Sequence, residues 1–174
     1  MNALLGPAPQ LALPFEEAPE TVAKDERFTP WPLFSRLHGE FGFTIDVAAC
    51  VAAAKLPRFY TREQNGLSKS WRGERVFCNP PWSCIPLWLE KTWTEIRTGC
   101  PFVFMLLPAD RTDRPWWSWY VEPWRDRPVS ASWRLTTRFL PKRTHFGTPE
   151  DPDAKRRGRP ECGLVALIWE TSAC

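Results

Sequence analysis

Two histidines, His38 and His145, are all that the chain contains, and none of its six cysteines stands in a C-x-x-C pair. Without closely spaced thiols and imidazoles there is no zinc-ligand pattern, and no metal site is expected. Cys50, Cys78, Cys84, Cys100, Cys162 and Cys174 therefore read as reduced, mostly buried thiols of a cytoplasmic protein. The first thirteen residues are apolar but lack a basic lead, and Pro7 and Pro9 interrupt them with Pro14 directly after, so a signal peptide is a poor match. No run approaches the length of a membrane span, and none repeats internally. The charged fraction, 25%, is ordinary, which argues against wholesale disorder.

What is abundant is tryptophan, eleven residues, and proline, nineteen. That many indoles exceed the needs of one core, and some are expected to stack on a ligand or a partner. Residues 1–26, rich in Pro, Ala and Glu, read as a flexible arm, and 27–174 as one compact domain. Positive charge is concentrated late. From Arg134 to Arg159 there are eight Lys or Arg and three acids, densest at Lys155-Arg156-Arg157-Gly158-Arg159. Such a stretch is either a phosphate-binding footprint or a solvated basic loop. No obligate protein partner is evident.

The periodicities predict alternating elements. Thr29 can cap a helix with Pro30 at its first position, Leu33, Phe34 and Leu37 on one face, and Gly39 and Gly42 as stops. Phe41 to Val47 reads as a strand ending at a carboxylate, and Arg58-Phe59-Tyr60 as a short second strand. Arg75 to Cys78 is a third, leading directly into Asn79-Pro80-Pro81-Trp82. Ile85, Trp88, Leu89, Thr92, Trp93 and Ile96 recur at helical spacing before Gly99. Pro101 to Pro108 is an apolar run suited to a strand covered on both faces. Ser130 to Leu140 adds extended structure, and Leu164 to Trp169 is a last strand. Strands alternating with helices predict an α/β fold, a single domain built on a mostly parallel sheet. Ligands bind such sheets at the carboxyl ends of strands, where Asp46 and Asn79 would sit.

Asn79-Pro80-Pro81-Trp82 carries the chemistry. The exocyclic N6 of adenine is a poor nucleophile because its lone pair is delocalised into the ring. Acceptors on both N–H bonds would draw density back onto nitrogen. The Asn79 side-chain oxygen and the Pro80 main-chain oxygen are the two candidates, on a turn stiffened by proline. Trp82 offers a flat face to a base rotated out of the helix. A proline-rich turn capping the next helix is the plainer alternative.

Taken together, Thr29 to Phe34, Phe41 to Ala49, Arg58 to Thr61, Gly66-Leu67 with Trp71, Val76 to Trp82 and Leu106 to Ala109 resemble the phage-type DNA N6-adenine methyltransferases, the Dam enzymes of bacteriophages and prophages. The resemblance runs from about Phe28 to Trp169. It implies a Rossmann-like class I methyltransferase fold, S-adenosylmethionine as methyl donor, DNA as partner, and the cytoplasm of a bacterial host as location. It assigns Asp46 to the donor's cationic amino group and places Thr29-Pro30 against the donor. Glu63 becomes a candidate for the ribose hydroxyls, or a solvated loop acid. Asn65 becomes a candidate for the donor's adenine, or a turn-forming Asn-Gly. Four departures stand out: no Gly-x-Gly loop follows Asp46, Asn65 replaces the commoner Asp, Trp82 replaces the commoner Tyr, and Gly163 stands where Ser is expected. Arg111 could hold a phosphate or a base, with Arg138, Lys142, Arg143, Lys155, Arg156, Arg157 and Arg159 on phosphates. The cluster at 116–120 either stacks on unpaired bases or packs as a helix on the sheet. The same acceptors would suit cytosine N4 or a glutamine amide, and a DNA-binding protein without turnover would keep the same scaffold.

Overall fold

A computed structural model describes residues 25, 27–130, 132–148, 151 and 162–171. The arm expected over 1–26, apart from Asp25, and the basic run at 155–159 lie outside the described residues.

The protein is a mixed α/β structure around one six-stranded sheet. The strands are β1 (Ile45–Asp46), β2 (Arg75–Cys78), β3 (Phe102–Pro108), β4 (Arg127–Ser130), β5 (Trp133–Phe139) and β6 (Leu164–Thr171), and the helices α1 (Trp31–Phe41), α2 (Ile85–Arg97) and α3 (Pro115–Tyr120). The sheet order is β1-β2-β3-β6-β5-β4. Only β1–β2 and β2–β3 are parallel; β3–β6, β6–β5 and β5–β4 are antiparallel. The expectation of a mostly parallel sheet is therefore wrong. No helix separates β4 from β5, so they close as a hairpin, which parallel neighbours cannot do. The segment after β5 then returns to the edge it left from, so that Leu164 starts β6 opposite Pro108.

Register explains the layers. Phe77, Phe104, Ile168 and Thr136 share one face, and Val76, Val103, Trp169 and Leu135 the other. α1 covers the first face: Phe34 meets the Phe77 ring edge-on at 5.1 Å, and Phe41 lies 5.2 Å from Phe104. α2 covers the second, with Trp93 edge-on to Trp169 at 5.9 Å and its indole N–H donating to the Tyr120 carbonyl at 3.1 Å. β3, buried on both sides, is the apolar run read from the sequence, and every residue in it is buried.

Local chemistry shifts several boundaries. α1 has Pro30, not Thr29, at its N-cap and Pro32 in the first turn, where the missing N–H costs nothing. It runs through Gly39 and ends at Gly42, whose left-handed conformation (φ 61°) lets its N–H reach the His38 carbonyl at 2.8 Å. Because Phe41 belongs to that helix, only Ile45–Asp46 remains of the expected strand. Arg58-Phe59-Tyr60 makes a single parallel bridge, Phe59 to Asp46, beside β1. The cluster at 116–120 is α3: Trp116, Trp117 and Tyr120 are buried and Trp119 is 48% exposed, so packing accounts for most of it.

Candidate active site

β1 and β2 end side by side, and the chain leaves both at the same edge of the sheet. Over that edge lies a cleft of about 340 Å³, lined by Thr29, Asp46, Asn65, Asn79 and Pro81 among others. Five residues singled out in the sequence are thus brought together. Asp46 forms part of its wall with only 5% of its surface exposed. Burial pushes its carboxyl up to about 7, against the Ala48 N–H (3.2 Å from Oδ1) and the charge of Lys55, which pull it down.

Asn79 follows the last residue of β2. Its amide nitrogen donates to the Arg27 carbonyl at 2.7 Å, while its side-chain oxygen is buried and has no hydrogen-bond partner. Thr29 Oγ1 is likewise buried and unpaired, which fits a residue that does not cap its helix. Buried polar atoms without partners are uncommon and ask for an explanation; here both belong to residues of one cleft. Pro80 and Trp82 are buried and are not among the residues lining it. Trp82 is 7% exposed, with the Arg27 guanidinium 4.1 Å from its ring centroid, Phe146 edge-on at 5.7 Å and the Arg111 guanidinium at 5.8 Å. The tetrapeptide also starts the next helix: a 3-10 turn, Trp82–Cys84, runs into α2. The turn reading and the chemical one thus coexist.

Asn65 lines the cleft and is also a turn residue, left-handed at φ 51° before the 3-10 turn Gly66–Ser68. Glu63 is exposed and stands apart from the cleft lining, its carboxylate held below the ordinary range first by the Thr61 hydroxyl. Arg111 sits by Trp82. Lys142 and Arg143 are exposed just past the end of β5, at the edge that holds Asp46 and Asn79. Arg138 is paired with Glu40 at 2.5 Å. Cys78 and Cys100 are buried thiols whose pKa burial pushes up, Cys100 to about 12. They are poor nucleophiles.

Sequence reading missed Arg27, Lys55, Tyr60 and Arg62, all of which line the cleft. The contact of Arg27 with Asn79 left no signal in the sequence, because it uses the main-chain carbonyl. Gly66 was noted only as part of a pattern, and the structure gives its reason. A β-carbon there would lie 2.1 Å from the Val47 carbonyl oxygen, so only glycine lets the 65–68 turn close against the end of β1. The turn is tied down by the Trp71 indole, which donates to the Gly66 carbonyl at 3.0 Å. Gly66→Ala is expected to cost about 2–3 kcal/mol of stability, a drop in Tm of roughly 5–10 °C by calorimetry. An unchanged Tm would mean the turn has slack that the structure does not contain.

Comparison with known proteins agrees with the geometry. Residues 18–127 match the family DNA N-6-adenine-methyltransferase (Dam). A DNA N-6-adenine-methyltransferase of Escherichia phage T1 is 29% identical over 106 residues, 60% of this chain and 42% of the relative. That of Haemophilus phage HP1 is 36% identical over 62 residues, 34% of this chain and 36% of the relative. The chain spans less than half the length of these curated relatives. The family match nonetheless covers more than half of the chain, including β1, β2, the tetrapeptide, α2 and β3. With its cleft residues thus inside the matched segment, this chain belongs to the DNA N-6-adenine-methyltransferase family.

Proposed function

We propose that the chain transfers a methyl group from S-adenosylmethionine to the N6 amine of adenine in DNA, using one Rossmann-like domain over 27–174. The observation that carries this is Asn79: its amide is held at the nitrogen end, and its oxygen is a buried acceptor without a partner, on a residue that lines the same cleft as Asp46 and Thr29.

The cleft residues fit the donor's chemistry. S-adenosylmethionine, when bound, supplies an electrophilic methyl group on a sulfonium. Asp46 supplies an anion that would face its ammonium, and the half-buried Lys55 a cation for its carboxylate. Thr29 Oγ1 would give up its unpaired state to a donor atom. Asn65 and the 65–68 turn are placed for the adenosine end.

On the substrate side, Asn79 Oδ1 and the Pro80 carbonyl accept the two N–H bonds of the amine, and the prolines keep both oxygens from drifting. Most of the rate gain is positioning. Adenine reaches this site only if it leaves the duplex, which fits the flipped-base mode of enzymes that modify bases. A base stacking on Trp82 takes the place now held by the Arg27 guanidinium. Arg111, Lys142 and Arg143, with Lys155, Arg156, Arg157 and Arg159, would meet phosphates, giving affinity without sequence preference. Arg138 joins them only by leaving Glu40.

The test is transfer of labelled methyl from S-adenosylmethionine to unmethylated DNA, followed by nucleoside analysis. The expected product is N6-methyladenine. Label in N4-methylcytosine would redirect the substrate, and tight DNA binding with no label at all would sink the enzymatic reading.

A further inference from the structure

The segment before α1 reaches back across the tetrapeptide and is pinned on two sides. Asp25 accepts from the Ser83 hydroxyl and from the Ser83 main-chain N–H, the latter at 3.3 Å, and pairs with Arg27 at 3.5 Å. Phe28 exchanges two main-chain hydrogen bonds of 2.9 Å with Gly147. Between these anchors lies the Arg27 carbonyl, 2.7 Å from the Asn79 amide nitrogen.

A primary amide has two ends of nearly equal shape and opposite hydrogen-bonding character. Rotated by half a turn, Asn79 would present its NH2 to the substrate's NH2, two donors face to face. The tetrapeptide contains no other group that prevents this rotation: its remaining side chains are two proline rings and an indole. The bond to Arg27 does prevent it, because the rotated amide would set its own oxygen against the Arg27 oxygen. Asn79 Oδ1 is thereby left as the buried acceptor.

On the reading of Asn79 as the amine acceptor, we propose that Arg27 is a positioning residue whose main-chain carbonyl locks the Asn79 amide in its accepting orientation, and that the Asp25–Ser83 clamp holds that carbonyl in reach. The device is needed because this chain has Asn at residue 79. A carboxylate there would have two equivalent oxygens and no orientation to choose.

A double-mutant cycle with an amide-proton measurement tests this. Asp25→Ala is expected to lower kcat about tenfold, the scale of one lost hydrogen bond in the transition state. In an Asn79→Asp background a carboxylate oxygen faces the Arg27 carbonyl in either rotation, so Asp25→Ala should cost nothing further and can only relieve that contact. An equal fold-loss in both backgrounds would mark the strap as merely structural and overturn the proposal. In parallel, the Asn79 side-chain NH2 signal is assigned by its loss in Asn79→Asp and followed by NMR. In the wild-type chain one of its protons should exchange slowly with solvent, and Asp25→Ala should abolish that protection. Equal exchange in the two proteins overturns the lock even if Asn79→Asp proves inactive. A wild-type chain that methylates no adenine would instead sink the functional reading, while the exchange measurement would still decide whether the lock exists.

Discussion

Asn79→Ala is expected to lower methyl transfer to DNA by about two to three orders of magnitude and to leave binding of S-adenosylhomocysteine essentially unchanged. The size follows from what is removed. On the proposed reaction, positive charge would develop on N6 as the methyl group is captured, and an oriented, buried acceptor would stabilise that charge far more than water would. Deleting a single preorganised hydrogen-bond partner of developing charge typically costs about 10²–10³ in rate. The unchanged affinity follows from where Asn79 sits. The groups proposed for the donor's amino-acid end, Asp46 and Lys55, come from β1 and the segment after it, and the turn at 65–68 lines the same cleft. Single-turnover rates and calorimetric binding would check the two halves. Near wild-type turnover in Asn79→Ala would remove the residue from the chemistry. A matched loss of affinity would move it to the donor subsite.

Asp46→Asn has a stabilising effect whose size grows with pH. The folded protein holds the Asp46 carboxyl proton until about pH 7, against 3.8 for an unperturbed side chain, because burial disfavours the charge. Below both values the residue is neutral folded or unfolded and contributes nothing. As pH rises from about 4 to 7, the unfolded chain releases this proton and the folded chain retains it, so stability falls. Above 7 the penalty is constant, with an upper bound of roughly 4 kcal/mol from the size of the shift. Asparagine can still accept from the Ala48 N–H but carries no charge to bury. The variant should therefore gain on the wild type between pH 5 and pH 8 by roughly 2–3 kcal/mol in urea unfolding. A stability difference that does not change over that range would mean that Asp46 is not the buried acid described here. The same variant should bind a cationic donor poorly, since the ion that Asp46 is placed to meet would lose its partner. On the proposed reading, the stability given up at Asp46 would be returned when a cationic ligand neutralises it.

Legibility in the sequence followed the kind of interaction. Thr29, Asp46, Asn65 and Asn79 were readable because each is a polar side chain at a strand or helix boundary, and the fold gathers all four around one cleft. α2 and β3 were readable from periodicity and from an unbroken apolar run. The direction of β6 was not. A strand buried on both faces has the same composition whichever way it runs, and only its pairing with Phe102 to Pro108 reveals the answer. Arg27 was invisible for another reason. Its contact with Asn79 uses a carbonyl that every residue has, and the two are 52 positions apart. Thr29 looked like a cap, yet Pro30 occupies that position and frees the hydroxyl for the cleft. Arg138 looked like a phosphate contact, and it is paired with Glu40.

The antiparallel return of β6 has a consequence for how such a chain can diversify. The stretch from 140 to 163 leaves β5 and re-enters at Leu164, and both ends are riveted to adjoining strands at the rim where Asp46 and Asn79 emerge. Lengthening a loop between fixed posts costs little, since closure entropy grows only with the logarithm of length. Insertions that spare Phe146 and Gly147, which touch Trp82 and Phe28, would therefore leave the ladder of the sheet unaltered. Descendants of one ancestor could retune what they grip without rebuilding the frame that does the grip's chemistry.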